Sequence, residues 1–530
     1  MQSSRWIALG LATLGITSLA GAQIDGPTPL AWRWSASTAV APSGTPTIDG
    51  DNVYVGVGGR VFCVDKATGN KKWQYPLIEP IDGYFKSSPI VAGGLVIAAA
   101  TNKTIYAIDP AKGEKVWSYE APGGVLGNPV LAGKFVVFNL DGKELMAVDA
   151  ADGKPAWENP ERIFDGMMGG LASYNSDVFF FTRTRQLWVL KTTTKRANRL
   201  ATFQNLSSDS VPLISGDQLY VASGNYVVSV NPISGAARWQ SAVPQSLIYG
   251  PAVMVDGVAV GTAEGSLIIL DSTGQIKSRR VGEGATAKRE RMIVELGSRP
   301  IASPAAVGKL FAVPTANGAL NLVDPEKGEV VWSFLIQPLT AGLKASNTNQ
   351  ANNSQSVERA GLIVSVPAAG PAVLSGKTMF LLASDGSLLA FDKDQGIDLT
   401  GPAVQLVWPN QGAQVGTRKG PLDVFFRISD EATGVAEKSL KITVNEKPID
   451  FTYGRDGFAT MRFGQGLKNG ILQDGRATFT VTVSDWMGNQ TVSSFTLMVD
   501  NDLAPIALPG GTRPDAGGGR QGGGGAATGG

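Results

Sequence analysis

This sequence predicts an all-β protein, an eight-bladed β-propeller closed by its N-terminal strand and followed by a β-sandwich, on three observations. The first is a recurring pattern: an apolar strand ending in Asp, three residues, Gly, three residues, Trp. It occurs in full at Asp65, Gly69 and Trp73; at Asp109, Gly113 and Trp117; at Asp149, Gly153 and Trp157; and at Asp324, Gly328 and Trp332. Asn231, Gly235 and Trp239 repeat it with one atom changed, and Lys191, Asp271 with Gly274, and Asp392 with Gly396 mark three weaker copies. The second observation is the spacing of these eight positions, 44, 40, 42, 40, 40, 53 and 68 residues. That spacing centres on the length of a four-stranded propeller blade, roughly 40–45 residues. The third is composition: 66 Gly and 30 Pro in 530 residues, with no long helical periodicity and a change of pattern after Gly396.

Each part of the pattern has a physical role. Asp at a strand end accepts hydrogen bonds from turn amides, and Gly four residues on supplies a positive φ without a Cβ penalty. The Trp then opens the outer strand, where a buried indole covers roughly 150–250 Å² and seals one blade against the next.

In chain order, Arg5 precedes an apolar stretch from Trp6 to Ala20, and Ala20-Gly21-Ala22 is a small-x-small cleavage site. Residues 1–22 therefore read as a secretory signal peptide, with the mature chain starting near Gln23. No Cys follows the apolar run to carry a lipid, and no other stretch reaches the roughly 18 apolar residues of a spanning helix. Pro29-Leu30-Ala31-Trp32-Arg33-Trp34 looks like an outer strand with no blade of its own. The unit at Asp392 and Gly396 lacks its Trp strand, so Trp32 is expected to complete it. The propeller then occupies residues 23–396. Within it, Cys63 falls in the slot held elsewhere by Ala107, Ala147, Ser229 and Ala390, a small inward position that predicts a buried, inert thiol.

Two departures from the repeat carry charge. In the fourth unit Arg183, Arg185, Lys195, Arg196 and Arg199, with Lys191, occur with no acidic residue between 178 and 208. They form a candidate docking patch for an anionic surface or acidic partner, the alternative being a solvated face. The long interval between Asp271 and Asp324 adds Lys277, Arg279, Arg280, Lys288, Arg289, Arg291 and Arg299, diluted by Glu283, Glu290 and Glu295. Residues 340–360 are a polar insertion expected as a loop above one face.

Residues 397–402 read as a linker, and 403–502 as strands punctuated by turns at Thr433-Gly434, Asp474-Gly475 and Asp485 to Asn489. This stretch resembles the bacterial immunoglobulin-like modules whose late strands flank an Asp-x-x-Gly-Asn turn, here Asp485, Gly488 and Asn489. Asp430, Glu431, Asp485 and Asp500 are either turn residues or Ca²⁺ ligands. Residues 503–530 are Gly-rich and expected to be disordered.

The D-x-x-x-G-x-x-x-W units resemble the repeats of PQQ-type propellers, a family that includes quinoprotein alcohol dehydrogenases and the propeller lipoprotein of outer-membrane β-barrel assembly. A tryptophan-aspartate repeat propeller uses a Gly-His pair, and this chain has 0 His. The dehydrogenase resemblance implies PQQ over a Trp floor, under a vicinal disulfide, beside Ca²⁺. One Cys makes that disulfide impossible. Of the 11 Trp, only Trp34 and Trp188 have no other assignment, and Trp188 fills a packing slot. The absence of His also removes Ser-His hydrolysis and most transition-metal sites. Without Arg5 the side-chain charges balance, which argues against nucleic acid.

The resulting expectation is an exported, non-enzymatic binding scaffold. It would be periplasmic or extracellular and associated with the outer membrane, with an envelope or secreted protein as partner and no cofactor. The alternatives are a PQQ-dependent dehydrogenase and a carbohydrate-binding or adhesive surface protein that takes a polysaccharide.

Overall fold

The computed structural model describes residues 24–203, 211–282, 287–338 and 365–506. The expected signal peptide, most of the polar insertion and most of the Gly-rich tail lie outside the described residues. Apart from one short 3₁₀ turn at Glu437–Ser439, the described elements are strands.

Successive antiparallel sheets follow one another along the chain as a β-propeller. The first contains Thr47–Asp49, Asn52–Val57, Arg60–Asp65 and Lys71–Tyr75, in that order from the inside outwards. Its middle strands are buried on both faces, so they are continuous apolar runs and do not alternate as a half-exposed strand would. Seven further sheets follow among the described residues. The fifth is built from Leu213–Ser215, Gln218–Val230 and Ala237–Leu247. Its long middle strand holds Gly224 at positive φ and folds back far enough for Ser229 Oγ to reach Gln218 Oε1.

Apolar clusters join each sheet to the next and the last to the first. Val55, Phe62, Phe380 and Leu388 share one such cluster with Trp32 and Trp34. The strand Leu30–Ser35 completes the eighth sheet by pairing with Ser387–Phe391, Trp32 opposite Ala390 and Trp34 opposite Leu388. The N-terminal segment therefore closes the ring.

The Asp of each repeat is a turn residue. Asp65 Oδ1 accepts the amides of Ala67 (3.1 Å) and Thr68 (2.9 Å), and the Gly69 amide bonds the Asp65 carbonyl at 2.9 Å. Asp109, Asp149 and Asp324 make the same turn, and Asn231 makes it with an amide oxygen. The Lys72 ammonium, then the Thr68 amide, hold the Asp65 carboxyl down at about 2. Its folded pKa is depressed, so its stabilisation is present above the ordinary value of 3.8 and is lost as pH falls through about 2. Asp65→Asn should lower the melting temperature near neutral pH, and the gap from wild type should shrink as pH approaches about 2.

The Gly has a second reason beyond its φ. The indole of the preceding sheet lies flat on it: a Cβ added at Gly69 would stand 2.6 Å from Trp32, at Gly113 2.7 Å from Trp73, at Gly153 2.5 Å from Trp117 and at Gly274 2.5 Å from Trp239. Each indole also donates to a carbonyl of that turn, Trp73 to Pro110 at 2.8 Å and Trp239 to Ser272 at 3.0 Å.

Where the pattern weakens, the substitutes are visible. Trp157 meets Lys195, which holds the Gly position at φ 51° with its ammonium 5.9 Å from the ring. Gly235 meets Leu200, and Gly328 meets Met292 and Arg279.

Trp332 departs most. Its indole donates to Thr433 in the C-terminal module at 2.7 Å, and Gly434 packs against Ser333. That module is two facing sheets around one core that includes Phe426, Phe463 and Phe479. One sheet is ordered Ala403–Trp408, Leu422–Ser429, Phe458–Phe463, Thr452–Tyr453. The segment 397–402, expected as a linker, is tied down: Asp398 is bonded by Thr433 Oγ1 and, through its carbonyl, by Asn489 Nδ2.

Cys63 is fully buried in the third strand of the first sheet. Burial pushes its thiol up to about 12, leaving it protonated at neutral pH.

Candidate functional site

Inner strands in a propeller converge on its axis, and here most are led by a Pro: Pro46, Pro89, Pro212, Pro251 and Pro304 immediately precede theirs, Pro371 comes two residues before Val373, and Pro129 lies within Val125–Ala132. Pro suits the first residue of an edge strand because its missing N–H leaves no ladder bond unmade. Short side chains beside it let the strands approach. Polar bonds link neighbours around the axis: the Gly44 amide to the Ala369 carbonyl (3.2 Å), the Thr45 amide to Ser88 Oγ (2.8 Å) and the Ser88 amide to Asn128 Oδ1 (2.9 Å).

These strand starts enclose an open axial cavity of about 610 Å³. Its described lining comes from six of the sheets and contains Tyr249, Asn128, Ser215 and Ser303 among apolar residues, with no charged side chain. A quinone cofactor of the kind the resemblance implies needs carboxylate and amide ligands for its cation and a disulfide cap. The lone Cys63 and this uncharged lining do not fit it.

The two ends of the ring differ. One carries the Asp-to-Gly turns. The other carries the connections from each outer strand to the next inner strand, together with the turns between the two middle strands. At this second end Leu77, Ile78 and Phe164 project outwards; Phe164 is 91% exposed, with the Arg162 guanidinium 5.7 Å from its ring. Sequence reasoning missed these residues because it followed strand periodicity, and all three lie in connections. Their signal was an apolar side chain between Pro76 and Pro80, or beside Asp165-Gly166, where no strand needs one.

The five candidate basic residues do not form one focus. Arg183 and Arg185 sit on the turn between Asp177–Thr182 and Gln186–Lys191, at the end that bears Phe164. The Arg183 amide bonds Gly166, and Thr184 Oγ1 bonds Asp165. Lys195 and Arg196 lie at the other end of the hairpin, Arg196 opposite Lys191 and Lys195 on Trp157. Arg199, opposite Trp188, lies between. A six-residue strand spans about 17–20 Å, so the charges divide between the two ends of the ring.

Of the carboxylates considered as Ca²⁺ ligands, Asp430 and Asp485 converge with Asp398, their oxygens within 4.8 Å of one another. Glu431 and Asp500 are not in this group. Burial raises the Asp430 carboxyl, opposed by the amides of Gly434 and Thr433. Asp485 is bonded by both nitrogens of Asn489. Within the described residues, no helix is long and apolar enough to cross a membrane.

A family model described as outer membrane protein assembly factor BamB matches residues 28–162 and 175–365. No curated protein matches the chain. Among solved structures, BamB from Moraxella catarrhalis is 14% identical, with 68% of this chain and 100% of that one covered at a TM-score of 0.48. A europium-containing methanol dehydrogenase is 11% identical, covering 66% and 84% at 0.45. Sqt1 of Saccharomyces cerevisiae is 10% identical, covering 69% and 99% at 0.48.

Proposed function

Because the chain belongs to the outer membrane protein assembly factor BamB family, we propose that it is an exported binding scaffold of the cell envelope that holds another polypeptide and catalyses no reaction. Family membership carries the reading. Its finer part, that the connection-bearing end of the propeller is the contact surface, rests on the exposed Leu77, Ile78 and Phe164 at that end, with Arg162 on the Phe164 ring and Arg183 and Arg185 on the turn next to the Phe164 connection. Exposed apolar side chains with basic groups nearby are the composition of a protein contact. The uncharged axial cavity supports binding over quinone chemistry. Residues 403–502, an immunoglobulin-like module in this reading, brace the propeller from its outer rim.

A photo-crosslinking side chain at Leu77 or Phe164, expressed in native cells, should give polypeptide adducts. The same group at Ile233, exposed in an Asp-to-Gly-type turn at the opposite end, should give none. Arg183→Ser with Arg185→Ser should lower the adduct yield several-fold and leave the melting temperature nearly unchanged, because exposed charges steer association but stabilise little. Lys195→Ser with Arg196→Ser should leave the yield alone. Equal adducts from Ile233, or none from Leu77 and Phe164, would overturn this surface.

A further inference from the structure

The outer strand of the sixth sheet is interrupted in a way no other sheet shows among the described residues. The chain enters it at Lys277, whose amide bonds Ile269 at 2.8 Å, and resumes it at Met292, whose amide bonds Lys277 at 2.7 Å. Between those points it leaves as a two-stranded ribbon, Ser278–Val281 paired with Lys288–Arg291. The Lys277 and Met292 bonds clasp its base, so the ribbon is carried as an arm on the outer rim.

Its register is Ser278 opposite Arg291, Arg279 opposite Glu290, Arg280 opposite Arg289, and Val281 opposite Lys288. Side chains alternate across a strand, so Arg279, Glu290, Val281 and Lys288 share one face. Ser278, Arg280, Arg289 and Arg291 share the other. The first face is turned to the propeller: the half-buried Arg279 donates to the Lys327 and Gly328 carbonyls at 3.0 Å each. The second face points away, is exposed, and carries three guanidinium groups and no carboxylate among its described residues.

A lone two-stranded ribbon is marginal in water. An arm built this way gains from an anionic partner. Arg289 and Arg291 are two residues apart, about 6.6–7 Å along the strand. An extended peptide presents alternate side chains at the same interval. Among the described residues Lys288–Arg291 pairs only with Ser278–Val281, which leaves its outer edge open to an added strand.

We infer that this ribbon is a docking arm for an acidic, extended segment of another polypeptide, which adds along Lys288–Arg291 and sets alternate carboxylates against Arg289 and Arg291. Guanidinium forks match carboxylates with two parallel hydrogen bonds. The arm is separate from the connection-bearing end of the ring and does not depend on it.

The test uses the full chain and a fluorescent peptide of alternating Glu and Thr. A second peptide has the same composition with its Glu residues clustered. Vesicles containing phosphatidylglycerol form a third arm. At low salt the alternating peptide should bind at least about tenfold more tightly than the clustered one. Arg289→Glu with Arg291→Glu should lose at least about tenfold in affinity with an unchanged melting temperature, since charge pairs act chiefly on association. Lys195→Glu with Arg196→Glu, the same change in net charge on the fourth sheet, should bind as wild type. The inference is overturned if the ribbon variant binds as wild type, if the two peptides bind alike, or if the fourth-sheet variant loses as much. It is equally overturned if only the vesicles bind in a ribbon-dependent way, which would assign the arm to lipid headgroups.

Discussion

Trp332→Ala should destabilise the propeller by about 3–5 kcal/mol, the usual cost of emptying a large aromatic site, and should release the C-terminal module from it. Trp332 is 0% exposed. Its ring stacks on Phe334 at 5.9 Å and meets the edge of Phe391 at 5.5 Å. Its indole N–H supplies the Thr433 carbonyl, which truncation leaves without that donor inside the interface, at a further cost of about 1–3 kcal/mol. Against a total stability of roughly 5–15 kcal/mol, this is a large share.

Gly434→Ala approaches the same contact from the other side. Gly434 has φ 84°, and an added Cβ would lie 2.6 Å from the Ser333 carbonyl oxygen. On the propeller side its closest contacts are backbone, the Ser333 carbonyl oxygen and, at 3.3 Å, the Phe334 Cα, with the Phe334 ring at 3.6 Å, so it should free the module while the propeller melts close to wild type. Two unfolding transitions in place of one, and a protease-sensitive segment near 397–402, would be the readout. A single wild-type transition in both variants would mean that the module docks by other contacts.

The repeat was legible because each of its residues answers a local demand. Asp65 binds turn amides within three residues, and Gly69 must hold positive φ, so both demands appear in sequence spacing. Ring closure was legible for a related reason: Trp32 lacked a sheet and Asp392 lacked a Trp. The partner of each indole was not legible, because it belongs to a different sheet. Leu200 and Met292 stand where a Trp would, without any motif. The fate of Trp332 had a trace in the sequence, since Asp430 and Gly434 keep the repeat's own spacing. Asp430 Oδ1 accepts the amides of Ala432 and Thr433 as the repeat Asp does, and takes the Gly434 amide that in the repeat goes to the Asp carbonyl. The C-terminal module thus offers Trp332 the kind of turn that the neighbouring sheet offers elsewhere. The basic residues of the fourth sheet were grouped by sequence, but a hairpin sends its turn and its strand ends in opposite directions, so Arg183 and Arg196 diverged.

Loss of the strand Leu30–Ser35 should have the second large effect. Without it Ser387–Phe391 becomes an open edge, the Trp34 contact with Phe62 at 5.0 Å disappears, and Gly69 loses its indole. The Leu30 amide also bonds Ala432 at 2.8 Å, so the same strand ties the ring to the C-terminal module. Deleting residues 24–36 should therefore abolish cooperative unfolding of the whole chain, although terminal segments usually tolerate removal.

The most direct measurement is the denaturant unfolding of Trp32→Ala beside Trp117→Ala. Both indoles lie flat on the Gly of the next sheet and donate to a carbonyl of its turn, Trp32 to Lys66 and Trp117 to Ala150, each at 3.3 Å. Trp32 is partly exposed where Trp117 is buried, so it should fall at the lower end of the roughly 3–5 kcal/mol range. If the ring is closed by its N-terminal strand, both variants lose stability by comparable amounts in one transition. If Trp32→Ala unfolds with wild type while Trp117→Ala does not, the ring is closed by something else.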